Sequence, residues 1–169
     1  KNAIEAIRSL SKVLHTPLIS ELGLAESIDN LANEMMAVND LIINLDLAGF
    51  KDELWNDNFK LTLYRIVQEQ LGNILKHARA STAGITLYEV NDLILLEIMD
   101  DGVGFDVTAK RNGVGINNIL SRANMYNGNV ELHSEKGKGT KLRVGFPLKE
   151  IIAAIQLKSI PGYQSKKNN

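Results

Sequence analysis

The spacing of apolar residues along the chain changes period several times, and each change marks an element. Ala3, Ile7, Leu10 and Leu14 recur at intervals of three and four, the period of a helix with one apolar stripe, which Pro17 ends. Such a stripe needs a partner, either its own domain or a hairpin or dimer seam, and periodicity leaves both open. Residues 20–38 repeat the helical pattern with Ile28, Leu31, Ala32 and Met35 on one face, and residues 41–47 alternate as a strand with one buried side, closed by Gly49. A helix is predicted from about residue 58 to 78, with Asp57 or Asn58 as its N-cap. Residues 85–90 and 93–99 read as two strands joined by Asn91-Asp92, a pair that tolerates the positive φ of a tight hairpin. Residues 115–127 return to a helical period. A second hairpin follows, with strands 130–134 and 141–147 around the glycine-rich connection 135–140. The polar residues 158–169 are expected to fray. Hairpins with helices placed between them predict an α+β fold: a two-layer sandwich whose mixed, mostly antiparallel sheet carries its helices on one face.

The helix over 58–78 is polar where a packing helix would not need to be. At about 100° per residue, Glu69, Asn73 and Lys76 fall within about 60° of one another, with His77 close by, while Leu63, Val67, Leu71 and Ile74 gather opposite. One face packs, and the other carries a carboxylate, a carboxamide and a cation. Alone, this stripe also describes a solvated helix face with ordinary i to i+4 pairing, and His77 a surface histidine. Residues 100–104 read Asp-Asp-Gly-Val-Gly directly after the apolar run 93–99. A carboxylate pair turning on glycines at a strand end suits a ligand, and equally a tight surface turn. Gly113 and Gly115 open the next helical pattern, where backbone amides suit a phosphate group. Gly137, Gly139 and Thr140 are good turn chemistry in the last hairpin.

Taken in this order, QEQLGNILKHA at 68–78, DDGVG at 100–104 and the glycine pair at 113 and 115 resemble the nucleotide-binding boxes of the histidine-kinase type ATPase domain. The resemblance spans residues 18–149 and implies a Bergerat-type ATP-binding fold. It implies that Asn73 offers a neutral oxygen to Mg²⁺ and that Glu69 helps deprotonate or orient the nucleophile, with Lys76 and His77 beside the phosphates. Asp100 matches the carboxylate that accepts a hydrogen bond from the exocyclic amine of adenine. Guanine would set a carbonyl against it, so adenine is favoured. Gly102 and Gly104 are expected to let backbone approach the base, and Asp101 to cap or to stay in solvent. Residues 106–112 match a short lid, which places the resemblance in the short-lid subfamily of two-component kinases, with Lys110 or Arg111 as residues that could reach a phosphate. Gly137, Gly139 and Thr140 match the last glycine box.

Residues 1–17 resemble the end of the second helix of a dimerisation hairpin, residues 18–149 the ATPase domain, and 150–169 a C-terminal tail. No residue matches the family's phosphoacceptor histidine. His15 lies at a helix end against Thr16-Pro17 and reads as a capping or surface residue, and His133 alternates on a strand as a structural one. The resemblance therefore implies the catalytic ATP-binding domain of a sensor histidine kinase. The γ-phosphoryl of Mg-ATP would pass to a histidine helix outside this chain and then to a response regulator, within a homodimeric parent. An anti-sigma-type serine kinase, an ATP-driven clamp of the gyrase or chaperone kind, and a nucleotide-responsive dimerisation module without transfer activity are the alternatives. The hairpin remnant argues against the kinase and clamp alternatives, and retention of Glu69 and Asn73 against the inactive module.

Composition narrows this little further. With 169 residues, 44% of them hydrophobic, the chain suffices for one well-packed domain. A formal net charge of −1 with dispersed Lys and Arg lacks the basic footprint of nucleic-acid binding. The absence of cysteine removes disulfides and thiolate metal sites and fits a reducing compartment. Apolar runs are far shorter than the ~20 residues of a membrane span. The expectation is a cytoplasmic, soluble domain, whose parent could be membrane-anchored, and the start at Lys1 suggests a piece of something longer.

Overall fold

The computed structural model describes residues 19–107 and 114–158. The expected first helix with His15 and Pro17, the lid residues Lys110 and Arg111, Gly113 and the chain beyond 158 lie outside the described residues. The described chain runs α1 (Ile19–Val38), β1 (Ile42–Gly49), a single 3₁₀ turn (Asp52–Leu54), α2 (Asp57–Asn73), a π turn (Ile74–Ala78), β2 (Thr82–Val90), β3 (Leu93–Asp100), α3 (Val114–Asn124), β4 (Asn129–Ser134), β5 (Thr140–Pro147) and α4 (Leu148–Lys158). Its five strands form one sheet in the order β1-β2-β3-β5-β4, with β1 parallel to β2 and every other pair antiparallel. This is the α+β sandwich with a mixed, mostly antiparallel sheet that the pattern predicts.

Alternation along the strands decides which way the sheet faces. Ala83, Ile85 and Leu87 of β2, Ile94, Leu96 and Ile98 of β3, and Leu142, Val144 and Phe146 of β5 are buried, and their neighbours face outward. Against that inner face α2 sets Phe59, Leu63, Ile66, Val67 and Leu71, all five without exposed surface. Phe59 stands edge-on to Tyr126 and Phe146, with centroids 5.0 and 5.3 Å away, within the range of favourable aromatic pairs. Asn91 and Asp92 adopt φ of 47° and 61°, the left-handed pair that a two-residue hairpin requires.

Several boundaries differ from the pattern: β2 begins at Thr82 and α3 ends at Asn124, and two further differences bear on packing. The N-cap of α2 is Asn56, neither Asp57 nor Asn58: Asn56 is extended (φ −73°, ψ 159°) and its side chain accepts the Phe59 N–H at 2.9 Å. Asp57 is already helical, and its carboxylate sits 3.1 Å from Lys60 Nζ in the first turn, where negative charge suits the helix dipole. Residues 150–158, expected as tail, continue α4 from Leu148. Ile151 is fully buried, and the Leu148 N–H donates to the Asp92 carbonyl at 2.9 Å, tying the helix to the β2–β3 turn. Leu148, Ile151 and Ile155 repeat at helical spacing.

The segment entering the domain is held by a charge. α1 is two helices merged across Gly23, whose φ of 82° and ψ of 174° are not helical. The second piece begins at Leu24, and its N–H is capped from a distance by Asp52 Oδ1 at 2.7 Å. Asp52 also meets Lys60 Nζ at 3.2 Å. Burial pushes Lys60 down, but its hydrogen bonds with Asp57 and Asp52 outweigh this and hold its pKa above the ordinary lysine value. Among the described residues no helix is long and apolar enough to cross a membrane.

Asp52 therefore caps one helix and pairs with another. Asp52→Ala removes the cap and leaves Lys60 to Asp57, so unfolding free energy should fall by about 1–2 kcal/mol, the usual cost of a lost cap. Urea denaturation checks this; an unchanged midpoint would show that the cap contributes nothing.

Candidate functional site

α2 turns its polar face away from the sheet and towards a cleft of about 740 Å³. Glu69, Gln70, Asn73, Ile74, Lys76, His77 and Ala78 form one wall. Asp100, Gly104, Phe105 and Val107 form the second, and Val114, Gly115 and Ile116 at the start of α3 the third, with Leu132 and Thr140 completing the floor. The structure thus brings together Glu69, Asn73, Lys76, His77, Asp100, Gly104, Gly115 and Thr140 from segments far apart in sequence. Gly102 and Gly139 are adjacent but do not line the cleft, and His133 is exposed on β4.

The last turn of α2 widens into a π turn over Ile74–Ala78 and ends at Arg79, which has a left-handed φ of 52°. Single π turns inside helices recur at functional sites. Here the turn carries Lys76 and His77, both exposed, onto the cleft wall while Ile74 stays buried.

Glu69 and Asn73 lie under the start of α3. A Cβ at Gly115 would stand 2.7 Å from Asn73 Oδ1 and 2.8 Å from Glu69 Oε1, so any larger residue there would have to push these two side-chain ends aside. Asn118, one turn further along α3, donates to Glu69 Oε2 at 3.3 Å. The Asn73 amide nitrogen donates to Gln70 Oε1 at 3.3 Å.

At the strand end the two aspartates divide their work. Asp100 is 9% exposed. Its Oδ1 accepts the Gly102 N–H at 2.9 Å, and Thr140 donates to the carboxylate through its N–H and its hydroxyl. Burial nevertheless dominates and raises the Asp100 pKa above the ordinary carboxylate value. Asp101 points outward and ties down the start of β2. Its Oδ1 accepts from Thr82 N at 2.9 Å and Ser81 N at 2.8 Å, and its Oδ2 from the Thr82 hydroxyl at 2.9 Å. Thr82 foremost, and then Ser81, hold it below the usual range.

The glycines around this strand end are also crowded by the protein's own backbone. A Cβ at Gly102 would collide with the Ala78 carbonyl oxygen, one at Gly104 with the Glu135 carbonyl, and one at Gly139 with the Asp100 carbonyl. Their smallness lets protein backbone approach protein backbone. Three polar residues escaped the sequence reading: Gln70, Asn118 and Ser134. Ser134 Oγ accepts the Phe105 N–H and donates to the Gly139 carbonyl, both at 2.9 Å, holding the start of the second wall to the last hairpin.

A mixed sheet with its helices on one face, and a cleft between a helix and glycine-bounded loops carrying a buried strand-end aspartate, define a nucleotide-binding domain. Residues 59–150, just over half of the chain, match the family described as histidine kinase-, DNA gyrase B-, and HSP90-like ATPase, and the chain belongs to that family. It is 31% identical over 150 residues to the sensor histidine kinase ComP of Bacillus subtilis (strain 168), covering 87% of this chain and 19% of that protein. To the sensor histidine kinase LiaS of the same organism it is 30% identical over 143 residues, covering 84% of this chain and 39% of that protein. The chain thus spans less than two fifths of these relatives. The histidine kinase domain of the Erythrobacter litoralis EL346 blue-light activated histidine kinase shares its fold, with a TM-score of 0.63 at 16% identity over 79% of this chain and 64% of that one. Membership of this family makes the domain an ATPase-type ATP-binding domain.

A buried ionised Asp100 costs stability. A carboxylate with a raised pKa contributes stability that is present below its ordinary pKa and is lost as pH rises through the raised value. Asp100→Asn carries no such loss, so from mildly acidic to neutral pH the variant should gain on the parent in urea titrations. If Asp100 holds the adenine amine, it should bind ATP at least about tenfold more weakly, the value of a charge-assisted hydrogen bond. Calorimetry with unchanged ATP affinity in the folded variant would overturn the adenine assignment.

Proposed function

We propose that this chain is the catalytic ATP-binding domain of a sensor histidine kinase and passes the γ-phosphoryl of ATP to a histidine on a helix outside residues 1–169. The observation that carries this is the convergence of Glu69, Asn73, Lys76 and His77 on one wall of a single cleft, with Asp100 on the second wall and Thr140 on the floor. Asp100 takes the adenine amine. Lys76 and His77, the exposed ammonium and imidazole of the π turn, lie beside the phosphates, where positive charge and N–H donors stabilise charge spreading over the transferring group. Glu69, held by Asn118, orients the incoming nucleophile or takes its proton. Phosphoryl transfer leaves little covalent work to a protein, so positioning and charge carry the catalysis.

The oxygen donors of α2 fit a magnesium ion. Asn73 offers a neutral carboxamide oxygen and Glu69 a carboxylate on the same wall, the hard, sparse donor set suited to an ion that brings phosphate oxygens and waters with it. When bound, the ion would neutralise phosphate charge, with Asn73 holding it. In this reading the domain works on the cytoplasmic side, within a homodimeric parent whose response regulator receives the phosphoryl group. The ComP and LiaS relatives, both named sensor histidine kinases, support that assignment over a serine kinase or an inactive dimerisation module.

Glu69→Gln should leave ATP affinity nearly intact and depress transfer to a phosphoacceptor helix supplied in trans. Equal loss of binding and transfer would make Glu69 structural. With radiolabelled ATP and Mg²⁺ the chain alone should acquire no acid-labile, base-stable phosphate, whereas the supplied helix should become labelled on histidine. Phosphoserine on the acceptor, or robust labelling of His15, would overturn the reading.

A further inference from the structure

We propose that Gln70 is a positioning residue that sets the rotation of the Asn73 carboxamide, an inference that rests on Asn73 as the magnesium ligand. Gln70 is 3% exposed yet lines the cleft, an unusual place for an uncharged polar side chain on the packing helix of a sandwich. It lies three residues before Asn73, on the same side of α2, and its Oε1 accepts the Asn73 amide N–H at 3.3 Å.

The two ends of a carboxamide are almost the same size, but only the oxygen can ligate a hard cation; the NH₂ end would repel it. With Gln70 taking the NH₂ group, Asn73 Oδ1 is the end of the carboxamide nearer Gly115, 2.7 Å from a Cβ position there against 3.1 Å for the amide nitrogen, and Glu69 Oε1 lies on the same side at 2.8 Å. Rotating Asn73 alone by half a turn would set Oδ1 against the Oε1 of the nearly buried Gln70, two acceptors without a proton between them. The two carboxamides therefore turn over only together. An exposed asparagine with water around it would be under no such restriction, and its oxygen would spend part of its time facing the wrong way. Gln70 keeps the ligand pre-oriented, as outer partners do for metal ligands in general.

The test uses the 169-residue chain, a fluorescent ribose-labelled ATP and a magnesium chloride titration. Gln70→Leu keeps the volume and removes the acceptor. The magnesium concentration giving half-maximal nucleotide binding should rise at least about threefold, while nucleotide affinity in EDTA stays at the parent value. In an Asn73→Ala background Gln70→Leu should produce no further shift, because the group it orients is gone; a purely structural role would add its own loss there. A parent-like magnesium requirement in folded Gln70→Leu, or a loss of affinity that persists in EDTA, would overturn the proposal. So would failure of both Gln70→Leu and Gln70→Ala to fold, which would assign Gln70 to the core. Should Asn73→Ala itself leave the magnesium requirement unchanged, the ligand role falls and the Gln70 role with it. A shift in Asn73→Ala with none in Gln70→Leu would overturn the Gln70 role alone.

Discussion

Burial of the Phe59–Leu71 face of α2 against the sheet is the contact on which the rest of the domain depends. A helix has one period, so fixing its apolar side fixes its polar side as well. With Phe59, Leu63, Ile66, Val67 and Leu71 pressed onto β2, β3 and β5, the direction of Glu69 and Asn73 is no longer free. Each fully buried aliphatic or aromatic side chain contributes on the order of 1.5–3 kcal/mol, so rotating α2 to present another face would forfeit several such terms at once. The cleft wall is rigid because its other side is the core.

Around that wall the domain tolerates two kinds of electrostatic expense. Lys60 is buried but doubly paired, and its charge holds α2 to the turn that caps α1. Among the described residues Asp100 is buried with hydrogen-bond donors and without a cation beside it, and its pKa rises accordingly. The first arrangement stabilises the native state, whereas the second leaves the native state less stable than a neutral side chain would. Groups with perturbed ionisation in clefts are often functional. Asp101, next in sequence, is held in the opposite direction by Thr82 and Ser81, so one dipeptide contains both a buried carboxylate lining the cleft and its anchor.

Much of this was legible from the chain. The stripe of Leu63, Val67, Leu71 and Ile74 against Glu69, Asn73 and Lys76 is a property of one helix and needs no tertiary knowledge, and the Asn91-Asp92 turn follows from two residues that accept positive φ. What stayed hidden depends on distant partners. Asn118 meets Glu69 across 49 positions and Ser134 meets Phe105 across 29, separations that no local period encodes. Asn56, Asp57 and Asn58 are three consecutive residues able to cap, and only the dihedral at Asn56 chooses between them. α4 carries an apolar spacing, but next to a polar terminus it read as tail.

The glycines packed against carbonyl oxygens bear on how this domain would look to genetics. Gly102, Gly104 and Gly139 each face a backbone atom of another segment, and none has room for a methyl group. In a saturation screen scored by growth or signalling, all three positions would therefore be as intolerant as any residue that touches ATP. A map of intolerance would outline a footprint larger than the nucleotide, its margin drawn by the seams where the loops of the cleft are fastened to one another.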